Sequence, residues 1–266
     1  MIQNLHTHTT FCDGKNTAEE MVLDAISKGL TSLGFSGHAP LPITNTWAMT
    51  RETLPQYIAE VHRLQAKYEG QLEIFLGLEN EYILQTAPTP FDYTICSVHM
   101  IEQSGQVEID NTSELLVSSV TRYYGADPIG SVHDYYDLVV KAAGCGDILG
   151  HFDLICKFND KTGLYQETES PYLDIASEAL VACMEQDVIV ELNTGAMARG
   201  NRSVPYPNPQ FYDLIAEKKG RVVITSDAHS TDALGYYYNE SVELLKSHGI
   251  FTQQMLTKNG FIEVPL

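Results

Sequence analysis

The sequence predicts an α/β barrel built on a mainly parallel sheet of about seven strands. Three observations predict it. Short apolar runs of strand length alternate with helical stretches along the chain, which is the rhythm of βαβ units. No dinucleotide-type glycine fingerprint follows the first run, which favours a barrel over an open, doubly wound sheet. Each run also ends in, or is closely followed by, a histidine, aspartate or glutamate, as expected if all the strand C-termini converge on one active face.

The elements follow in order. The first strand is expected at 2–6. Thr17 then caps a helix over 18–28, with Glu20 completing a capping box. A second strand at 32–36 precedes a helix over 50–68, whose Leu54, Ile58, Val61 and Leu64 recur at helical spacing. Strands at 72–78 and 93–98 come next. The segment 101–131 breaks the rhythm: it is long, polar and poor in strand signal. A connection of that length is expected to be a lid over the site or a plain surface excursion. A helix over 133–143, a strand at 147–150, a helix over 171–186, a strand at 188–192, a helix over 209–218, a strand at 221–225 and a helix over 239–248 complete the pattern.

Composition narrows the function. The 266 residues include 44% hydrophobic and 19% charged residues, enough apolar material for a large core. Sixteen Lys and Arg stand against 35 Asp and Glu, a formal net charge of −19. Such a body repels duplex DNA and anionic membranes, so neither nucleic acid nor membrane is expected as a partner. No apolar run approaches membrane-spanning length, and MIQNLHTHTT has neither a basic start nor an apolar signal core. The five cysteines are scattered and form no CxxC pair. A cytoplasmic protein with reduced thiols is expected.

The strand ends carry the chemistry. His6 and His8 close strand one as LHTH, and His38 follows strand two in GFSGHAP. Glu79 closes strand three in FLGLE, His99 strand four in CSVH and His151 strand five in ILGHFD. Glu191 and Asn193 end strand six in VELN, and Asp227 and His229 follow strand seven in ITSDAH. Imidazole nitrogens and carboxylate oxygens are ligands for zinc, iron or manganese, and residues two apart on a strand point to one face. A single strand-end histidine is weak evidence. The joint pattern predicts a metal cluster, since only His62, His133 and His248 fall outside it.

The motifs HTHTTFCDG, GFSGHAPLP, GLENEY, SVHMI, GHFDLICKF, ELNTGAMARG and ITSDAHSTDALG together resemble the PHP (polymerase and histidinol phosphatase) superfamily. The match is closest to its histidinol-phosphate phosphatase branch and runs from residue 2 to about residue 240. FCDG, HAPLP and GHFDLICKF are the more branch-specific parts. The resemblance implies a distorted (β/α)7 TIM-like barrel, its active site at the strand C-termini, with three divalent ions (Zn, Mn or Fe). His6, His8, Glu79 and Asp227 would hold the first; Glu79, His99 and His151 the second; Asp13, His38 and His229 the third. It implies hydrolysis of L-histidinol phosphate to L-histidinol and phosphate in histidine biosynthesis, by a hydroxide bridging two ions, with Glu79, Asp227, His229 and Arg199 as the catalytic set. The alternative is another phosphomonoester or a phosphodiester as substrate, against which, for a nuclease, the acidic charge counts.

Such a cluster would present net positive charge to a phosphate dianion despite the acidic body. Cys12, beside Asp13, lacks the CxxxxxR loop of a thiol phosphatase. Arg199 in NTGAMARG offers a guanidinium fork for phosphate, with Lys157 second and Arg202 third. For the leaving group, Asp110 or Glu108 could pair with the ammonium, and Tyr123, Tyr124 or Trp47 could stack on the imidazole. The residues do not single out the source of the proton for the leaving oxygen: a water on a metal, Asp153 or His229 could serve. One catalytic domain over 1–266 is expected, with a small-molecule substrate as partner.

Overall fold

The computed structural model describes residues 2–43, 45–83, 91–102, 106–125 and 127–266. In chain order its strands are β1 (Gln3–Asn4), β2 (Ser32–Phe35), β3 (Glu73–Glu81), β4 (Tyr93–Ser97), β5 (Met100–Glu102), β6 (Gln106–Glu108), β7 (Ile148–Leu149), β8 (Ile189–Asn193), β9 (Arg221–Thr225), β10 (Thr252–Thr257) and β11 (Gly260–Pro265). Seven of them form one parallel sheet in the order β1-β2-β3-β4-β7-β8-β9. A parallel bridge between Thr7 and Ala228 joins its two edges, so the sheet nearly closes into the expected barrel. Among the described residues, no helix is long and apolar enough to cross a membrane.

Local sequence accounts for the helices. Thr17 accepts from the Glu20 backbone, and the Glu20 carboxylate accepts from the Thr17 backbone, so the capping box forms and helix Ala18–Ser27 follows. Helix Leu54–Lys67 buries Tyr57, Val61 and Leu64 on one face. The helix begins at Leu54 rather than at 50; ahead of it Thr50 and Thr53 exchange backbone-to-side-chain hydrogen bonds, and Leu54 N donates to the Thr50 carbonyl.

β3 is longer than expected and sets the barrel's stagger. Glu73–Leu76 pair with β2, and Gly77–Glu81 pair with β4, so each neighbour is displaced along it, as closure requires. Glu79 is therefore inside the strand rather than at its end. Gly77 is needed here, because a Cβ would fall within the Tyr93 ring. The Tyr93 hydroxyl donates to the Leu5 carbonyl across the barrel interior.

Two segments depart from expectation. The 101–131 stretch is not an irregular loop: β5 and β6 pair as a hairpin, and Thr112 caps helix Ser113–Tyr124, which buries Leu116 and Val120 four residues apart. Its residues 103–105 and 126 lie outside the described residues. The other departure is the antiparallel hairpin of β10 and β11, for which TQQMLT gives little apolar signal. Leu256 from it packs with Leu5, Phe75, Ile95, Ile148, Ile189 and Val223 in the barrel interior. Gln3 fixes it there, donating to the Leu256 carbonyl at 3.0 Å and accepting from its N–H at 2.9 Å.

Candidate metal centre

The mouth is built strand by strand. His6 and His8 leave β1 on one face, held where His8 N donates to the Ala228 carbonyl and Ala228 N to the His6 carbonyl. A tight turn then closes on the Thr9 carbonyl, which accepts from Cys12 and Gly14, and carries Asp13 over His8. His38 forms a parallel bridge to Glu79. His99 and His151 follow β4 and β7, and Asp227 and His229 follow β9.

Glu79, 1% exposed, lies at the centre. Its Oε1 lies 3.0 Å from His151 Nε2 and 3.5 Å from His99 Nε2, and accepts from Ser97 at 2.7 Å. Its Oε2 is 2.8 Å from His38 Nδ1, 3.3 Å from His6 Nε2 and 3.5 Å from His8 Nε2. Asp227 Oδ1 faces His8 Nε2 at 3.3 Å and His6 Nε2 at 3.6 Å. Asp13 lies 3.1 Å from His229 Nε2, 3.5 Å from His8 Nδ1 and 3.7 Å from His38 Nε2. All nine residues expected as ligands thus meet in one place, although 221 residues separate His8 from His229 in the chain.

Three groups of donors have ligand atoms within 4.8 Å of one another: His8, Asp13, His38 and His229; His6, His8 and Glu79; and His38, Glu79 and His99. His8 and His38 are each shared between groups, so the cluster is continuous.

Electrostatics describe a site short of cations. Burial lowers the pKa of His6, but Glu191, Glu79 and Asp227 raise it more, leaving it well above the ordinary value. His38 is raised against burial by Glu79 and Asp13. His99 is pushed up to about 10 against burial by Glu79 and Glu81. His8 goes the other way, down to about 3, through burial and the facing His229 and His38. Burial would raise Glu79, Asp227 and Asp13, yet surrounding cationic groups hold all three below the carboxylate range: His38 first for Glu79 and Asp13, Arg199 first for Asp227.

The donor set fits divalent ions on an independent observation. His6 Nε2, His8 Nε2, Glu79 Oε2 and His151 Nδ1 are buried without a hydrogen-bond partner among the described residues. Each such orphan costs about 1–3 kcal/mol, and three of the four converge within one group of donors. Cations among these lone pairs would relieve that cost. Two backbone positions are strained in the same place: His151 and Asp227 have φ of 21° and 43°. Glu191 accepts from His151 N at 2.7 Å, and Arg199 grips both the Asp227 carbonyl and its carboxylate at 3.0 and 2.9 Å. Gly195 makes that approach possible, since a Cβ there would lie 2.7 Å from that of Asp227.

Above the cluster is a cavity of about 140 Å³ bordered by Arg199 and Lys157 as well as the donors. Beside it, sharing Asp110 and Lys157, is a recess of about 250 Å³ lined by Trp47, Glu108 and Asn111. Trp47 stands edge-on to His38, with ring centres 4.8 Å apart. Lys157 donates to the Asp110 carbonyl at 2.9 Å.

Other expected residues lie elsewhere. Tyr124 donates to Asp134 at 2.8 Å, tying its helix to helix Ile129–Ala143, and neither it nor Tyr123 lines the cavity. Arg202 is buried, bonded to Glu167 and the Cys156 carbonyl. Asp153, pushed up to about 6 by burial, accepts from Asn208 N and also lies off the cavity. Burial and Asp13 push the Cys12 thiol up to about 12, which makes it a poor nucleophile.

Sequence reasoning gave no role to two carboxylates, Glu81, which it did not single out, and Glu191, which it placed at the end of strand six. Glu81 Oε2 accepts from both the backbone and Nδ1 of His99, at 2.8 and 3.0 Å. Glu191 meets His6 Nδ1 at 2.5 Å and is completed by Thr225, Asn193 and His151 N. The available signal was period two: Glu81 shares a strand face with Glu79.

Fold and site define a class, a parallel barrel whose mouth carries an imidazole–carboxylate cluster suited to divalent metals. Residues 4–195 match the family model described as PHP domain, and the chain belongs to that family. It is 31% identical to the probable histidinol-phosphatase of Deinococcus radiodurans, over 92% of each chain. It is 28% identical to the histidinol-phosphatase of Bacillus subtilis, over 90% of this chain and 97% of that one. The histidinol phosphate phosphatase of Lactococcus lactis, solved with zinc, L-histidinol and phosphate, superposes with a TM-score of 0.74 over 98% of both chains, at 20% identity. That likeness establishes the fold.

Proposed function

We propose that this chain is a divalent-metal-dependent histidinol-phosphatase, hydrolysing L-histidinol phosphate to L-histidinol and phosphate in the cytoplasm as a step of histidine biosynthesis. The observation that carries the reading is the nine-residue cluster around Glu79, with its orphaned donors, opening on a cavity with two cations. The relatives' names and the zinc, histidinol and phosphate in the Lactococcus lactis protein support the choice of substrate and metal. One catalytic domain is part of the same proposal.

His6, His8, Asp13, His38, Glu79, His99, His151, Asp227 and His229 would hold three ions. Bound divalent ions supply Lewis acidity toward phosphate oxygens and a more acidic water for attack on phosphorus. Arg199 serves twice. It fixes the strained Asp227 backbone and carboxylate, and its guanidinium borders the cavity where phosphate oxygens would lie. Lys157 borders both cavity and recess, so its ammonium would lie near the bond between phosphate and alcohol and aid departure of the alkoxide. Asp110 and Glu108 give the recess the negative charge that a substrate ammonium needs, and Trp47 gives it an aromatic wall.

The test is phosphate release from L-histidinol phosphate beside p-nitrophenyl phosphate and bis-p-nitrophenyl phosphate, with metal content assayed. A kcat/KM at least about a hundredfold higher for histidinol phosphate is expected, the discrimination a paired recess can give. Asp110→Asn should lower that ratio about tenfold or more, mostly through KM, because it removes a charged hydrogen-bond partner. Equal rates on all three substrates, or preference for the diester, would refute the substrate while leaving the metal site standing.

A further inference from the structure

The strand that gives the cluster no direct donor, β8, gives it Glu191 instead. Fully buried, Glu191 fixes the His6 ring through Nδ1 and is itself held by Thr225, Asn193 and the His151 backbone. Glu81, 3% exposed, does the same for His99. In both rings Nε2 is left facing Glu79. The outer donors have no dedicated carboxylate behind them: His38 Nδ1 meets Glu79 Oε2 at 2.8 Å, a group that itself belongs to the cluster. His229 Nδ1 lies 3.0 Å from both the Asp227 carbonyl and the Arg199 guanidinium, a cation set against the very group that would take an ion. Side-chain exposure is greatest at two of the outer donors, 30% for Asp13 and 18% for His229, with 9% for His38, against 0% for His6 and 6% for His99.

We propose that the cluster is graded: ions on the inner imidazoles are retained because Glu191 and Glu81 buttress His6 and His99, whereas the ion at Asp13, His38 and His229 is exchangeable. This rests on the metal reading above. A carboxylate behind an imidazole fixes the ring and its tautomer and strengthens the opposite nitrogen as a donor, and its loss typically weakens metal binding about 10–100-fold. The outer ion has only Glu79, a group shared with the inner ions, and a backbone carbonyl behind its imidazoles, lies at more exposed donors and faces a fixed guanidinium. Glu191 and Glu81 are thus positioning residues.

The experiment is stepwise dialysis of the manganese- or zinc-loaded protein against rising concentrations of a chelator, with metal per chain measured by mass spectrometry. Two steps are expected, one equivalent leaving early and the rest late. Asp13→Asn should delete the early step alone. Glu191→Gln and Glu81→Gln should each move the late step about 10–100-fold toward the early one without moving the early step, a selectivity that general loosening of the fold would not produce. The two substitutions lie behind different rings, so a folding failure in one leaves the other as the test, and circular dichroism of the chelated variants identifies it. A single step in the unsubstituted protein, or a late step unmoved in both Gln variants, would overturn the grading. Failure to bind any metal would overturn the metal reading itself.

Discussion

The two ends of this barrel are made by the same strands and are opposite in physical character. At the base, Leu256 plugs an apolar interior and the Gln3 side chain pairs with both of its backbone groups. At the mouth, carboxylates and imidazoles crowd together, four polar atoms have no partner among the described residues, and two backbone positions are strained. The base is satisfied and the mouth is not. The difference teaches where each end's free energy goes: the base holds the strands in register, and the mouth depends on that register to keep mutually repelling and unsatisfied groups at ligand distance.

Substitutions at the two ends should therefore separate stability from activity. The largest effect is expected for Glu79→Gln at the mouth. It removes the carboxylate that faces five imidazoles, and kcat/KM should fall at least ~10⁴-fold, the scale for residues acting as one unit. Melting of the chelated variant should fall far less. Activity within tenfold of wild type would break the comparison. Arg199→Ala should lower kcat about 10²–10³-fold, the usual loss for one charge-stabilising donor. Steady-state kinetics on histidinol phosphate would show whether KM carries the effect instead, which would make Arg199 a plain binding residue.

The third test sharpens the electrostatic side. In the chelated protein, the raised His6, His38 and His99 bind protons more tightly folded than unfolded. Their contribution is complete below the unfolded value of ~6.5 and is lost as pH rises through the folded values, reaching about 10 for His99. The melting temperature without metal should thus decline from about pH 6.5 toward 10, and metal loading should flatten that decline, because metal binds imidazole in its unprotonated form. An equally steep decline with metal bound would refute it. The smallest effect on activity belongs to the base. Leu256→Ala should cost about 2–5 kcal/mol of stability by denaturant unfolding, with kcat/KM of the folded enzyme within about twofold.

Much of both ends was legible in advance, and the reasons differ by element. The parallel strands were legible because buried strands read as apolar runs, and the Ala18–Ser27 helix because its cap is local chemistry. Most of the cluster was legible because its imidazoles and carboxylates recur at or near the strand ends, whereas Asp13, in a turn after β1, followed from the family resemblance alone. The base hairpin was not legible, since TQQMLT carries little apolar signal and the hairpin is tied to the barrel by Leu256 and by a glutamine from the opposite terminus. The 101–131 segment misled because its hairpin strands are only three residues long and its helix buries only Ser113, Leu116 and Val120. Tyr124 misled because sequence does not say which way a helix faces.

By itself, then, the sequence determined the alternation of strands and helices, the caps, and the presence of an imidazole or carboxylate at the mouth end of every strand of the parallel sheet. Those are local properties, set by backbone period and by side chains within a few residues. Tertiary structure alone decided that Glu191 reaches His6 from 185 residues away, that Glu81 stands behind His99, that Trp47 and Asp110 share a recess, and that Leu256 closes the base. The physical reason is register. A strand's period decides which face a residue takes, but the stagger of β3 against β2 and β4, and the closure of β1 on β9, decide which residue stands opposite.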